Sequence, residues 1–170
     1  MNALKLYISL VILFFSNIGR ATYVGGNPMS YVDPTGLYTQ VTVWQPVGYG
    51  TSSFGHVSID INGSTFTFAP GGLKNFTTAE YVAKNTLFRS GVGLSLNLTK
   101  TQEANLLAYF KKYNKGYNAV SNNCVDPVQE GLKSVGVDIG NSFFPVSVGY
   151  DILNSPLMNG VVHYTPVGGK

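Results

Sequence analysis

Cys124 and His56 are the side chains of this sequence best suited to nucleophilic chemistry. Cys124 is the only cysteine among 170 residues, so it makes no internal disulfide. It sits in Asn122-Asn123-Cys124-Val125-Asp126-Pro127, ahead of an apolar run with helical spacing. At a helix start, free backbone N–H groups and the positive end of the dipole favour a thiolate, which is the nucleophilic form of cysteine. His56 is one of only two histidines, and an imidazole within reach of a thiol is the base such a nucleophile needs. Each residue also has a bland reading, a packed and inert thiol for Cys124 and a surface histidine for His56.

The element that must carry His56 is a β-hairpin. From Phe54 to Phe68 apolar and polar residues alternate around a central Asn62-Gly63, the strongest short-range hairpin signal and one that selects a type I′ turn. With these as the two loop residues, Ile61 pairs with Ser64, Asp60 with Thr65, Ile59 with Phe66 and Ser58 with Thr67. Val57, Ile59, Ile61, Phe66 and Phe68 then share a core face, and His56, Ser58, Asp60, Thr65 and Thr67 share the other, polar one.

The other elements follow from pattern. Thr39 to Pro46 alternates as a strand, a Gly-rich loop runs on through Ser53, and Pro70-Gly71-Gly72 reads as the end of the first sheet segment. Thr77 with Glu80 forms a capping box for a helix through Lys84. Thr99 with Gln102 caps a second helix to about Tyr113, with Leu106, Leu107 and Phe110 on one stripe. Gly93 to Leu98 reads as a strand between them. Val128, Leu132 and Val135 form the buried stripe of the cysteine helix, Pro127 fits its first turn and Gly136 stops it. Gly149 to Asn154 reads as a last helix and Val161 to Tyr164 as a last strand. The reading is an α+β domain, a small antiparallel sheet packed with helices.

Composition narrows the function classes. Charged residues are 11% of the chain against 20 glycines, 11 tyrosines and 10 phenylalanines, a turn-rich, β-rich profile unlike that of disordered chains. The net charge is +3, and the one basic cluster, Lys111, Lys112 and Lys115, falls at a helix end where it suits the dipole. No basic stripe interleaved with aromatics points to nucleic acid. One cysteine and two scattered histidines give none of the ligand spacings of a zinc site, and no cofactor is implied.

The first 21 residues differ in kind. Lys5 precedes an apolar run from Leu6 to Phe15, then polar residues and Gly19-Arg20-Ala21, a pattern that resembles a secretory signal peptide cleaved after Ala21. The expectation is export to the periplasm or medium, or membrane anchoring where the segment is retained. Residues 22–37 form a loop-rich connector in which Pro28 is followed by Asp33-Pro34-Thr35-Gly36-Leu37. This stretch resembles the end of the Rhs repeat-associated core of bacterial polymorphic toxins, where such a motif borders a variable C-terminal toxin. The resemblance implies that residues 38–170 are an effector-like module, an orphan cassette without its shell, with a cognate immunity protein as partner.

Within that module, a histidine strand with Gly55-His56-Val57, a second strand, a helix, and then Tyr117 ahead of Asn122-Asn123-Cys124 resemble the circularly permuted papain-like proteins. These are related to NlpC/P60 hydrolases and include the lecithin retinol acyltransferase-like group. The resemblance spans roughly residues 41–135. It implies a permuted papain-like arrangement in which His56 takes the proton of Cys124 and the thiolate attacks an amide or ester carbonyl. Backbone N–H groups around Asn123 and Cys124 would hold the oxyanion at about 3 kcal/mol per donor, with Tyr117 either assisting them or serving as a core tyrosine. The family's third polar residue comes from the neighbouring strand. Thr67 is the first choice for it, with Thr65 and Ser58 as alternatives, and His163 in the last strand is the other candidate base. The substrates implied are peptidoglycan amides, acyl lipids or acylated proteins. The reading from another class is a catalytically inactive cassette or binding module.

Overall fold

The computed structural model describes residues 38–48 and 50–167. The signal-like segment and the border motif therefore lie outside the described residues.

Asn62 and Gly63 both take positive φ, 49° and 82°, as a type I′ turn requires. The hairpin has the expected register, with Ile61 opposite Ser64, Asp60 opposite Thr65, Ile59 opposite Phe66 and Ser58 opposite Thr67. Its strands, β2 (His56–Ile61) and β3 (Ser64–Ala69), belong to one antiparallel sheet that also contains β1 (Thr39–Trp44), β4 (Gly72–Thr77), β5 (Gly91–Leu96) and β6 (Met158–Tyr164). The spatial order is β4-β3-β2-β1-β5-β6. Pro70-Gly71-Gly72 follows the end of β3, the sheet segment the sequence implied, but the sheet continues. Gly72 at φ +85° turns the chain back into β4, whose half-exposed edge position leaves no apolar alternation to read.

Among the described residues four α-helices complete the α+β fold. Both capping boxes form, Thr77 with Glu80 at α1 (Thr78–Asn85) and Thr99 with Gln102 at α2 (Lys100–Lys112). Helix α3 (Asp126–Ser134) has Pro in its first turn, and beyond its cap at Val135 the chain passes through Gly136 at φ +81°. Helix α4 (Pro145–Leu153) starts four residues earlier than the pattern indicated. Among the described residues no helix is long and apolar enough to cross a membrane.

One sheet face is aliphatic. Val41, Val43, Val57, Ile59, Ile61, Phe66 and Leu94 pack against Leu106 and Phe110 of α2, Val128 and Leu132 of α3, and Val148 and Ile152 of α4. Burying each such side chain stabilises the fold by about 1.5–3 kcal/mol. Phe68, expected in this core, is buried but packs edge-on against Tyr113 and at a tilt against Tyr117, to one side of it.

The opposite face is polar yet equally dry, which alternation alone does not disclose. Gln40, Thr42, Ser58, Asp60 and Thr65 are at most 1% exposed. Most of their polar atoms are paired, as buried polar groups require: Gln40 donates to Thr42, Asp60 and Tyr164, Thr42 and Thr65 donate to Asp60, and the Trp44 indole donates to Ser58, while Gln40 Oε1 has no partner among the described residues. Two glycines of β5 make the layer possible. A Cβ at Gly93 would lie 2.4 Å from the Gln40 side chain, and one at Gly91 would lie 2.6 Å from the Trp44 ring.

Candidate functional site

His56 opens β2 directly after Gly55, whose φ of +90° and close approach to the Trp44 carbonyl leave no room for a side chain. This constrained entry sets the direction in which the imidazole leaves the sheet. The ring lies on the polar face, as alternation requires, but it is only 6% exposed. Its Nε2 is 2.7 Å from the Thr67 hydroxyl on β3, and that hydroxyl is 3.0 Å from the Tyr81 hydroxyl on α1. The three candidates for an orienting residue are thereby separated. Thr67 engages the imidazole, whereas Thr65 is engaged with Asp60 and Ser58 with Trp44.

The chain Tyr81–Thr67–His56 has two senses. With Nε2–H donating to Thr67 and Thr67 donating to Tyr81, Nδ1 carries the lone pair a general base needs. In the reverse sense Nδ1 carries the proton. His163 is exposed on β6, three strands from β2 in the sheet, a separation of about 14 Å at the usual strand spacing.

Cys124 lies two residues before the first residue of α3, in a tight turn that its neighbours build. The Asn123 side chain accepts from the Val125 N–H at 2.8 Å, and the Asn123 N–H donates to the Asp126 carboxylate at 2.6 Å. The Asn123 amide also faces the Phe143 carbonyl at 3.4 Å, so this side chain shapes the loop that carries the cysteine. The thiol is 6% exposed and borders the aliphatic cluster. The backbone N–H groups of Val57 and of Cys124 itself act on the sulfur, which places it beside the strand residue that follows His56.

Electrostatics differ from the sequence expectation. Burial pushes the Cys124 thiol up to about 11, outweighing the N–H groups and the Arg89 cation that pull it down. Burial, reinforced by Arg89, pushes His56 down to about 3. The helix start does not deliver a resting thiolate here, because removing a charge from water outweighs the favourable backbone donors. Both groups rest neutral at pH 7.

A cavity of about 240 Å³ opens over the imidazole, lined among others by His56, Thr67, Tyr81, Arg89 and Tyr117. Tyr117 lines the cavity, is half-buried, packs on Phe68, and has its ionisation opposed by burial and by Cys124, so it is near the thiol as well. Sequence reasoning missed Tyr81 and Arg89. Tyr81 was legible as an inner position of a capped helix. Arg89 follows the helix in a short irregular segment, where no periodicity assigns a direction. Among the described residues no group of three or more His, Cys, Asp or Glu side chains is placed to hold a metal ion.

Compared with protein-family models, curated proteins and solved structures, the chain matches none.

Proposed function

We propose that this protein is a thiol hydrolase or acyltransferase acting on an amide or ester carbonyl, with Cys124 as nucleophile, His56 as base and Thr67 as the residue that orients the imidazole. The observation that carries the reading is the 2.7 Å contact between His56 Nε2 and the Thr67 hydroxyl. It occupies one ring nitrogen and leaves Nδ1 for the thiol, the division of labour a base and its orienting group require. Cys124 lies beside the same strand, and the Arg89 cation acts on both groups.

In the reaction the Cys124 sulfur bonds to the carbonyl carbon as its proton passes to Nδ1. The tetrahedral oxyanion collapses, the leaving amine or alcohol takes that proton, and an acyl-cysteine remains. Water or another acceptor then attacks the acyl-cysteine as His56 takes its proton; the C–S bond breaks, the acyl product leaves, and the proton returns from Nδ1 to the Cys124 sulfur. The neutral resting pair fits a site in which the thiol's proton passes to His56 only as an electrophile engages the sulfur. The permuted papain-like arrangement, a role as an Rhs-type toxin effector acting on peptidoglycan or acylated lipid or protein, export, and a cognate immunity protein are part of the same proposal. They rest on the sequence resemblances alone.

A second reading, an inactive or binding module with a packed thiol, is favoured by the dryness of Cys124. Iodoacetamide modification of the full chain separates the two. The hydrolase reading expects modification at pH 7 to slow at least tenfold in His56→Ala, while the hydroxide-driven rate above pH 10 stays unchanged. Equal rates at pH 7 in both proteins would leave the packed thiol as the sole account.

A further inference from the structure

The cavity over His56 carries three cationic side chains, Lys74, Lys84 and Arg89, and no carboxylate. Lys74 and Lys84 are exposed at its rim. Arg89 is different, since it is 7% exposed and stacks between the rings of Trp44 and Phe88 at 5.6 and 5.3 Å. Its Nε and Nη2 both donate to the Asn85 side-chain oxygen, a neutral acceptor. Its Nη1 has no hydrogen-bond partner among the described residues. A buried guanidinium with no carboxylate beside it among the described residues is an uncompensated charge, and that is costly. Guanidinium forks are shaped for carboxylate and phosphate oxygens. The group these donors are shaped to recognise is an oxyanion.

We propose that this cavity is an oxyanion-binding subsite, in which Arg89, with Lys74 and Lys84 at the rim, binds a carboxylate or phosphate carried by the substrate next to the carbonyl that reacts. The assignment rests on the catalytic reading only for the second half of that statement, because the anion site itself exists independently of the thiol's role. A volume of about 240 Å³ lies below the range of roughly 300–1,000 Å³ typical of drug-sized ligands. The subsite thus takes one compact charged group, and the rest of the substrate lies outside it. Three cations without an opposing carboxylate also select against substrates whose group at this position is cationic or amidated.

Trp44 is the only tryptophan of the chain and lies directly under the guanidinium, so its fluorescence reports on the site. The test uses the full chain carrying Cys124→Ser, which removes the nucleophile and makes binding separable from catalysis. It is titrated with inorganic phosphate, with acetate and with neutral acetamide, at ionic strength held constant with sodium chloride. The expected result is a saturable change with phosphate or acetate and none with acetamide. In Arg89→Gln the apparent affinity falls at least tenfold. In the double variant Lys74→Gln/Lys84→Gln, whose positions are exposed and whose folding is secure, it falls about two- to fivefold. Saturation by phosphate alone identifies a phosphoryl group on the substrate, and saturation by acetate alone identifies a carboxylate. No saturable change with either anion, or undiminished affinity in both the Arg89 and the double-lysine variants, overturns the proposal. Either result leaves the His56-dependence of Cys124 alkylation as a separate matter.

Discussion

The Thr67 hydroxyl joins the His56 imidazole to the Tyr81 phenol, with 2.7 Å on one side and 3.0 Å on the other. This one hydroxyl therefore couples the first residue of β2 to helix α1. Its replacement by valine keeps the shape and removes the relay. Thr67→Val is expected to slow pH 7 alkylation of Cys124 about tenfold, equivalent to ~1.4 kcal/mol and close to the net worth of one buried hydrogen bond. Tyr81→Phe keeps the contact to the imidazole but removes the far partner, and a two- to threefold effect is expected. A merely structural role for Thr67 would slow alkylation equally at pH 7 and above pH 10. The positioning role slows it only at the lower pH.

The part of this site legible in the sequence is the part written in period two. Asn62-Gly63 fixes the hairpin register, the register puts His56 and Thr67 on one face, and the choice of Thr67 over Thr65 and Ser58 follows from geometry alone. Alternation says which face a residue occupies but not whether that face is wet. The layer of Gln40, Thr42 and Asp60 is dry because Gly91 and Gly93, two strands from His56, leave space for large side chains above them. That relation is between strands distant in sequence, so no local window contains it. The thiol is raised by a separate burial, beside the aliphatic cluster and the strand residue Val57. Strand β4 and the Arg89 cation were illegible for a simpler reason, as half-exposed edge strands and irregular connectors carry no hydrophobic period.

Gly55 and Gly63 distinguish strain from collision. Both have positive φ, 90° and 82°, but a Cβ at Gly63 would meet nothing within 4 Å, while one at Gly55 would lie 2.8 Å from the Trp44 carbonyl oxygen. Gly63→Ala is expected to destabilise the fold by about 1 kcal/mol through backbone strain alone. Gly55→Ala adds a backbone clash, so its loss in urea denaturation should exceed that of Gly63→Ala. It should also reduce Cys124 alkylation at pH 7, since the strand entry that aims His56 must shift.

Gly93→Ala probes the dry polar layer without touching the hairpin. Its Cβ would overlap the amide of Gln40, forcing that side chain off Thr42, Asp60 and Tyr164. Breaking a buried network leaves its members unsatisfied at about 1–3 kcal/mol per group. A loss of about 2–4 kcal/mol by urea denaturation is expected. Gly116→Ala, where no atom lies within 4 Å, should change stability by less than about 1 kcal/mol.

Asp60 and His56, buried on the polar face, act on stability with opposite signs. Asp60 is raised from 3.8 to about 6 by burial, against the hydrogen bonds of Thr65, Gln40, Thr42 and Thr78 that favour its charged form. Its protonated form is the one the fold prefers. Its contribution is therefore full below pH 3.8 and is lost as pH rises through 6. His56 is lowered from 6.5 to about 3 by burial and by Arg89. Its neutral form is preferred, so its contribution is full above pH 6.5 and is lost as pH falls through 3. Between about pH 4 and 6 the slopes, each about 1.4 kcal/mol per pH unit, oppose one another, and these two groups together leave stability nearly flat. Removing either one unmasks the other. Asp60→Asn should lose stability steadily as pH falls from 6 to 4, whereas His56→Gln should gain it over the same window, both followed by urea denaturation at fixed ionic strength. Parallel profiles for the two variants would mean that the polar layer admits water and that neither group is held neutral by the fold.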